Sequence, residues 1–156
     1  MPINRACLGK TYPPARTFEV GREHIRQFAA AIGDLNPAYL DPEAARALGY
    51  RDVIAPPTYL MSVMSLAGGG SVTADPELNL DRPRVVHAEQ QFVHHRPVHP
   101  GDVLSLTVKV DAIETEGKNE RLVLRQDFTD ATGELVCTAY FNIVSRGTAQ
   151  PAESGA

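Results

Sequence analysis

The chain has 156 residues, of which 43% are hydrophobic and 22% are charged, and its formal net charge is −4 at pH 7. This length fits one domain with its own hydrophobic core, and the composition excludes collagen-like, coiled-coil and wholly disordered chains. The mildly acidic charge, with no run of basic residues, gives no electrostatic basis for binding nucleic acid.

The cysteines and the apolar segments indicate the cellular setting. Cys7 and Cys137 match no zinc or redox spacing, so we expect two free thiols in a reducing compartment. The first ten residues lack the apolar segment of a signal peptide, and no apolar run reaches transmembrane length. We therefore expect a cytoplasmic protein that does not enter a membrane.

The first half of the chain is predicted to be helical. Apolar residues from Ile25 to Ile32 recur at the i, i+3, i+4 and i+7 spacing of a helix that ends at Gly33. A second helix over about 42–48 begins after Asp41, a residue that favours the N-cap position.

A third helix is predicted from Tyr59 to Ala67. It has almost no polar face, so we expect it to be buried on nearly all sides, with Thr58 as its N-cap. The glycines from Gly68 to Gly70 end this helix. They do not indicate a phosphate-binding loop, because they follow a helix and no Gly-Lys-Ser/Thr comes after them.

The second half of the chain alternates apolar and polar residues with the period of a strand. Strands are predicted over 85–93, 104–110, 122–129 and about 135–145. The last is apolar on both faces, so it is either central in a sheet or in contact with a partner chain. The domain is expected to span residues 1–146, followed by a disordered tail over 147–156.

This order of elements predicts an α+β domain. A helix without a polar face needs apolar surroundings, and a curved antiparallel sheet wrapped around it would provide them. That arrangement is the hot-dog fold, which we predict here as a single domain.

The most specific stretch of sequence runs from Gly33 to Tyr39 and reads Gly-Asp-Leu-Asn-Pro-Ala-Tyr. With the helix and the Val-Ile-Ala that follow, it resembles the hydratase motif of the MaoC-like family, the (R)-specific enoyl-thioester hydratases and 3-hydroxyacyl-thioester dehydratases. In that family the motif reads Gly-Asp-x-Asn-Pro-x-His, then a helix, then Ile-x-His-Gly. Further matches to the family's N-terminal MaoC-type dehydratase group are Tyr12 to Pro14, Ala55 to Thr58, Val86 to Phe92, and His95 to Asp102.

The resemblance implies a reaction and a set of site residues. The reaction is the addition or removal of water at an acyl thioester in fatty-acid or polyketide metabolism. The acyl group is carried on coenzyme A or on the phosphopantetheine of acyl carrier protein, without a further cofactor or a metal. In the family an Asp and a His activate one water, and a backbone N–H at the start of the central helix binds the thioester carbonyl. By position, the catalytic candidates are Asp34 and Tyr39, and the substrate-binding candidates are Asn36, Pro57, Thr58, Tyr59 and His87.

This sequence departs from the family motif at the catalytic positions. Tyr39 stands where the family has its His, and an unperturbed tyrosine pKa near 10 makes it a poor base at neutral pH. Pro56 and Pro57 stand at the His-Gly pair, and proline has no N–H. The resemblance therefore implies a substrate-holding subunit that is weak or inactive alone. It would dimerise with a catalytic MaoC-like subunit and line an acyl tunnel with residues 58–64.

Other interpretations remain open at this stage. Asp34 and Asn36 are residues that favour turns and would cap the next helix, Tyr39 would then be a packing residue, and His87 a structural strand residue. The chain would then be a non-catalytic acyl-thioester or acyl-carrier-protein binding or scaffold protein, paired as a homodimer or a heterodimer.

Two further functions are disfavoured. A hot-dog thioesterase commonly uses a carboxylate on the central helix, and the segment from Tyr59 to Ala67 has none. His94, His95 and His99 suggest a metal cluster, but neighbours on a strand point to opposite faces. Arg96 is either a surface residue or a contact for the phosphates of the thioester carrier.

Overall fold

The computed structural model describes residues 1–150, apart from the side chain of Ser71. Four helices lie in the first half: α1 (Arg22–Ala31), α2 (Pro37–Leu40), α3 (Pro42–Ala47) and α4 (Leu60–Leu66). Two short strands precede them, β1 (Thr11–Tyr12) and β2 (Thr17–Glu19), and four longer strands follow, β3 (Val85–His94), β4 (Val103–Glu116), β5 (Asn119–Thr129) and β6 (Leu135–Ser145). Within the described residues, no helix is long and apolar enough to cross a bilayer.

The six strands form one antiparallel sheet in the order β1-β4-β5-β6-β3, with β2 also paired to β4. The sheet is curved and has the hot-dog arrangement predicted from the sequence. Strand β6 lies between β5 and β3, so the predicted central position in the sheet is confirmed. Strand β3 forms one end of the sheet.

The core lies between α4 and the sheet. Strands β4 and β5 alternate buried and partly exposed residues, and the buried side chains join those of α4 in one cluster. Its members on α4 are Leu60, Val63 and Met64. The last turn of the helix faces solvent on one side, since Ser65 is exposed and the exposed fraction of Leu66 is 45%. The predicted burial of the central helix is therefore confirmed except at Ser65 and Leu66, which lie in its last turn.

The glycines after α4 are needed for close packing. Gly68 has a φ of 95°, in the left-handed region that glycine adopts most easily. A Cβ atom on Gly69 would lie 2.9 Å from the carbonyl oxygen of Met64. The chain therefore turns tightly against the end of α4. This close packing explains Gly68 and Gly69, so no phosphate-binding role is needed to account for them.

Helices α1 and α3 confirm their sequence signals. Helix α1 buries Ile25 and Ala29, and Gly33 follows its end with a φ of 72°. The Asp41 side chain caps α3 by accepting a hydrogen bond of 2.9 Å from the N–H of Glu43. Capping residues satisfy N–H groups at the start of a helix, which is why these boundaries could be read locally.

A buried carboxylate joins both ends of the described chain. The Glu120 side chain is 1% exposed and accepts hydrogen bonds from the N–H of Ile3 at 2.8 Å and the hydroxyl of Thr148 at 3.0 Å. Ala149 also donates its N–H to the carbonyl of Lys118. The prediction of a disordered tail from Gly147 is therefore wrong for residues 147–150, while the rest of that tail lies outside the described residues.

The two cysteines are both buried and unpaired. Burial raises the pKa of the Cys137 thiol to about 11. The prediction of two free thiols is confirmed within this chain, and Cys137 is a packing residue with little thiolate character at neutral pH.

The hydrogen bonds of Asp75 with Lys10 and Tyr12 make the stability of the fold depend on pH. Lys10 Nζ lies 2.7 Å from Asp75, and the Tyr12 hydroxyl donates to the same carboxylate at 2.7 Å. These two hydrogen bonds lower the pKa of Asp75 to about 2. Because the folded pKa is lowered, the stabilisation is present above the unfolded pKa near 3.9 and is lost as the pH falls towards about 2.

We expect Asp75→Asn to be less stable than the wild type at pH 5, with a difference that shrinks between pH 4 and 2. Urea unfolding at a series of pH values would measure this. Glu77→Gln is the matched control, because it removes the other partner of Lys10 and leaves the contacts of Asp75 in place. A difference that stays constant across this pH range would contradict the assignment.

Candidate active site

The loop between α1 and α2 carries two of the predicted site residues, Asp34 and Asn36. The Asn36 side chain caps α2 by accepting the N–H of Ala38 at 3.0 Å, and Asp34 accepts the N–H of Asn36 at 3.4 Å. Both side chains are exposed. The structure thus contains the turn that Asp and Asn favour, while the Asp34 carboxylate keeps access to solvent.

Tyr39 lies in α2 next to this turn. It is 8% exposed, and its pKa is raised by burial first, then by the charge of Asp34 and by Tyr50. A raised pKa keeps the phenol protonated at neutral pH. Tyr39 can donate a hydrogen bond, but it cannot act as a general base there.

The segment before α4 has few backbone donors. The N–H of Ala55 donates to Val98 at 2.8 Å and that of Tyr59 to Pro56 at 2.9 Å. Pro56 and Pro57 have no N–H, so within residues 55–59 only that of Thr58 remains. The carbonyl of Pro57 is also engaged, because His94 Nε2 on β3 lies 2.8 Å away and donates to it.

Thr58 is not the N-cap of α4. That position belongs to Tyr59, which is itself in helical conformation and makes no side-chain capping bond. The Thr58 side chain is exposed, and its carbonyl accepts the N–H of Met61 at 3.0 Å. The sequence prediction is wrong because the helical turn starts earlier than the change in polarity suggests.

Tyr59 anchors α4 against α1. Its side chain is 1% exposed, its hydroxyl lies 2.7 Å from His24 Nδ1, and its ring meets Phe28 edge to face. Burial raises its pKa well above the ordinary value. These contacts give Tyr59 a structural role beside the substrate-binding role predicted for it.

A cavity of about 320 Å³ opens beside the start of α4. It lies between the segments 54–57 and 94–98, and Tyr59 and Leu60 form part of its wall. Its lining is mainly apolar and includes Pro57 and Tyr59 from the predicted set. Asp34, Asn36 and Tyr39 are not among the lining residues, so the predicted site is divided between this cavity and the turn before α2.

His87 belongs to a different region. Its ring stacks on Phe141 at 4.5 Å between centroids, and its Nε2 lies 3.1 Å from the Glu89 carbonyl. It lines a separate cavity of about 250 Å³ with Phe141, Leu80 and Arg82 among others. None of the other predicted site residues lines that cavity.

The loop between β3 and β4 is held by ion pairs between its own residues and Asp130. Arg96 donates to Asp102 at 2.8 Å and to Asp130 at 3.1 Å, and the buried Asp102 also accepts the N–H of His99. These two carboxylates hold Arg96 in place, and Arg96 also lines the cavity of about 320 Å³.

The contact of His94 with Pro57 could not be predicted from the sequence, because no local signal relates residues 37 positions apart.

The histidines of this loop do not gather around an ion. His99 is 8% exposed and its Nδ1 lies 3.0 Å from the carbonyl of Val53, whereas His94 contacts Pro57. Over residues 1–150, no three His, Cys, Asp or Glu side chains are placed to hold a metal.

The comparisons with known proteins agree with this fold. A family model described as the FAS1-like dehydratase domain region matches residues 6–139. UPF0336 proteins of Saccharopolyspora erythraea and Streptomyces griseus are 48% and 49% identical to this chain, covering 98% and 94% of it and 97% of each relative.

Two solved structures are similar over most of the chain. The C-terminally truncated HadBC (3R-hydroxyacyl-ACP dehydratase) complex of Mycobacterium tuberculosis gives a TM-score of 0.80 at 28% identity, covering 91% of this chain and 99% of that one. A MaoC-like dehydratase gives 0.82 at 30% identity, covering 90% of this chain and 42% of that one. This chain therefore belongs to the MaoC-like dehydratase family with the hot-dog fold.

Proposed function

We propose that this chain is the substrate-holding subunit of a (3R)-hydroxyacyl-thioester dehydratase in fatty-acid or polyketide metabolism. The observation that carries the proposal is a family site without its base: Tyr39 is a buried phenol whose pKa is raised. The family's glycine donor is replaced by Pro57, which has no N–H.

The remaining groups suit binding better than proton transfer. The cavity of about 320 Å³ has a mainly apolar lining that suits an acyl chain. The N–H of Thr58, at the start of α4, is available in this segment to hold a thioester carbonyl. The exposed Asp34 would require a second proton-transfer group, which Tyr39 does not supply at neutral pH.

The end of the sheet offers a surface for the partner. Strand β3 has ten residues, pairs with β6 on one side, and exposes Val86 by 38% and Val93 by 40%. An unpaired edge strand is a template for pairing with another chain. The similarity to HadBC, which is a complex, supports a dimer in which a catalytic MaoC-like subunit covers β3.

The test follows the conjugated enoyl-thioester absorbance with this chain alone, and then with a co-purified MaoC-like partner whose Asp and His are intact. We expect turnover in the mixture that exceeds both the chain alone and the partner alone. An Asp→Asn substitution in the partner should abolish that turnover, whereas Asp34→Asn in this chain should leave most of it.

Two outcomes would contradict this assignment. Full activity of this chain alone, abolished by Asp34→Asn, would show a complete active site. Acyl-thioester binding without turnover in any mixture would favour the non-catalytic binding or scaffold protein.

A further inference from the structure

A third, smaller cavity lies between α4 and the sheet. Its volume is about 160 Å³, and its walls include Met61 and Met64 of α4, Leu124 of β5 and Phe141 of β6. These are large apolar side chains. At about 30 Å³ per water-sized group, the cavity holds roughly five such groups.

Of the polar side chains in this lining, Ser65 is exposed, Thr73 is half-buried and Gln126 is buried. Gln126 lies on the inward face of β5 between the buried Leu124 and Phe128, and its side chain is 2% exposed. Its Oε1 atom has no hydrogen-bond partner among the described residues, and the residue lines the cavity. A buried acceptor without a donor is unfavourable. A ligand that brings a hydrogen-bond donor into the cavity would therefore gain binding free energy from this contact.

We propose that Gln126 determines specificity by accepting a hydrogen bond from a hydroxyl group along the acyl chain, beyond the reacting carbons. The preferred ligand would be a hydroxylated acyl thioester, a conclusion that rests on the proposed function of holding acyl thioesters. The methionine and phenylalanine side chains pack on the methylene groups, and Gln126 selects the position of the hydroxyl.

The surroundings favour a ligand over an isolated water molecule. Buried water is held by two to four polar partners, whereas the side chains beside Gln126 are mainly apolar. The hydroxyl of Thr73 donates to the carbonyl of Gly70 at 3.1 Å, so its proton is already used. A hydroxyl tethered to an acyl chain is held in place by the same apolar walls and needs fewer polar contacts.

The cavity can be entered and has another cavity beside it. Ser65 and Gly70 belong to its lining and are exposed, so they mark its rim. On the other side, Thr73 and Phe141 also line the cavity of about 250 Å³ that contains His87. The two cavities are therefore neighbours, with Thr73 and Phe141 between them.

The experiment measures binding of saturated acyl-coenzyme A thioesters to the full chain. One series has a fixed chain length, no 3-hydroxyl, and a single hydroxyl moved along the chain. The unsubstituted acyl thioester of the same length is the reference. We expect one hydroxyl position to bind about tenfold more tightly than the unsubstituted chain, the size expected for one buried hydrogen bond. Gln126→Leu should abolish this preference and keep or improve binding of the unsubstituted chain.

The control is Gln90→Leu. Gln90 is another glutamine whose Oε1 is buried without a partner, but it lies on β3 and is not part of this cavity lining. It should retain the hydroxyl preference. If Gln126→Leu does not fold, Gln126→Met provides a second variant with a side chain of similar length. It should also lose the hydroxyl preference.

The outcomes separate the two proposals. If unsubstituted and hydroxylated thioesters bind equally, or if the preference survives in a folded Gln126 variant, this inference is overturned and the cavity holds water or a plain chain. If no acyl thioester binds to the wild-type chain, the proposed function fails and the inference fails with it.

Discussion

Placing His at position 39 and Gly at position 57 together is expected to give this chain hydratase activity at least about 100-fold above that of the unchanged chain. The Tyr39→His substitution supplies a base with a pKa near neutral beside the charge of Asp34, and Pro57→Gly restores a backbone N–H before α4. In an active site that also has its base, one oxyanion donor is worth on the order of 100- to 1000-fold in rate. The measurement is the loss of enoyl-thioester absorbance under saturating substrate.

Two further combinations of substitutions test the contributions of the base and of Asp34. Tyr39→Phe with Pro57→Gly is the matched control, since it restores the donor without a base and should remain close to the unchanged chain. Adding Asp34→Asn to the active double variant should remove its activity. If the double variant folds but stays inactive, Asp34 and Asn36 serve as a helix-capping turn and do not form half of a catalytic pair.

The largest expected effect on stability is that of Glu120→Ala. The variant should lose about 3 kcal/mol of unfolding free energy, because the buried N–H of Ile3 loses its acceptor and the hydroxyl of Thr148 keeps only its bond to the Ser145 carbonyl. For a chain of this length that corresponds to a fall in Tm of roughly 6 to 12 °C. Urea unfolding and thermal scans at pH 7 would measure both quantities.

The neighbouring strand supplies a control for Glu120. Glu114 is exposed on β4, so Glu114→Ala should change the unfolding free energy by no more than about 0.5 kcal/mol. Glu120→Gln keeps an acceptor for Ile3 and should lose less than Glu120→Ala. Equal stability of the alanine variants at 114 and 120 would show that the buried contacts do not hold the chain ends.

The hydratase-like motif shows how far local sequence reasoning reaches. Gly33 and Asp41 mark helix boundaries through their own backbone and side-chain chemistry, so these boundaries are predictable from a few neighbouring residues. The apolar residues of β5 alternate, which predicts its buried face. Gln126 follows the same alternation, but only the structure shows that its acceptor lies unpartnered at a cavity.

The errors share one physical origin. Leu66 is apolar yet 45% exposed, Thr58 follows two prolines yet does not cap α4, and the polar Thr148 is buried beside Glu120. In each case a contact or a solvent boundary set by distant segments overrides the local preference. A helix with two apolar sides is buried on both only if the rest of the chain covers both.

The sequence by itself determined the alternation that builds the sheet, and the chemical limits of the site. Proline at position 57 has no N–H and tyrosine at position 39 is a weak base, because these are properties of the residues themselves. Only the tertiary structure decided that His94 meets the Pro57 carbonyl and that Glu120 joins the two chain ends. Such contacts join residues far apart in the chain, so they depend on how the strands and helices are placed and not on any local pattern.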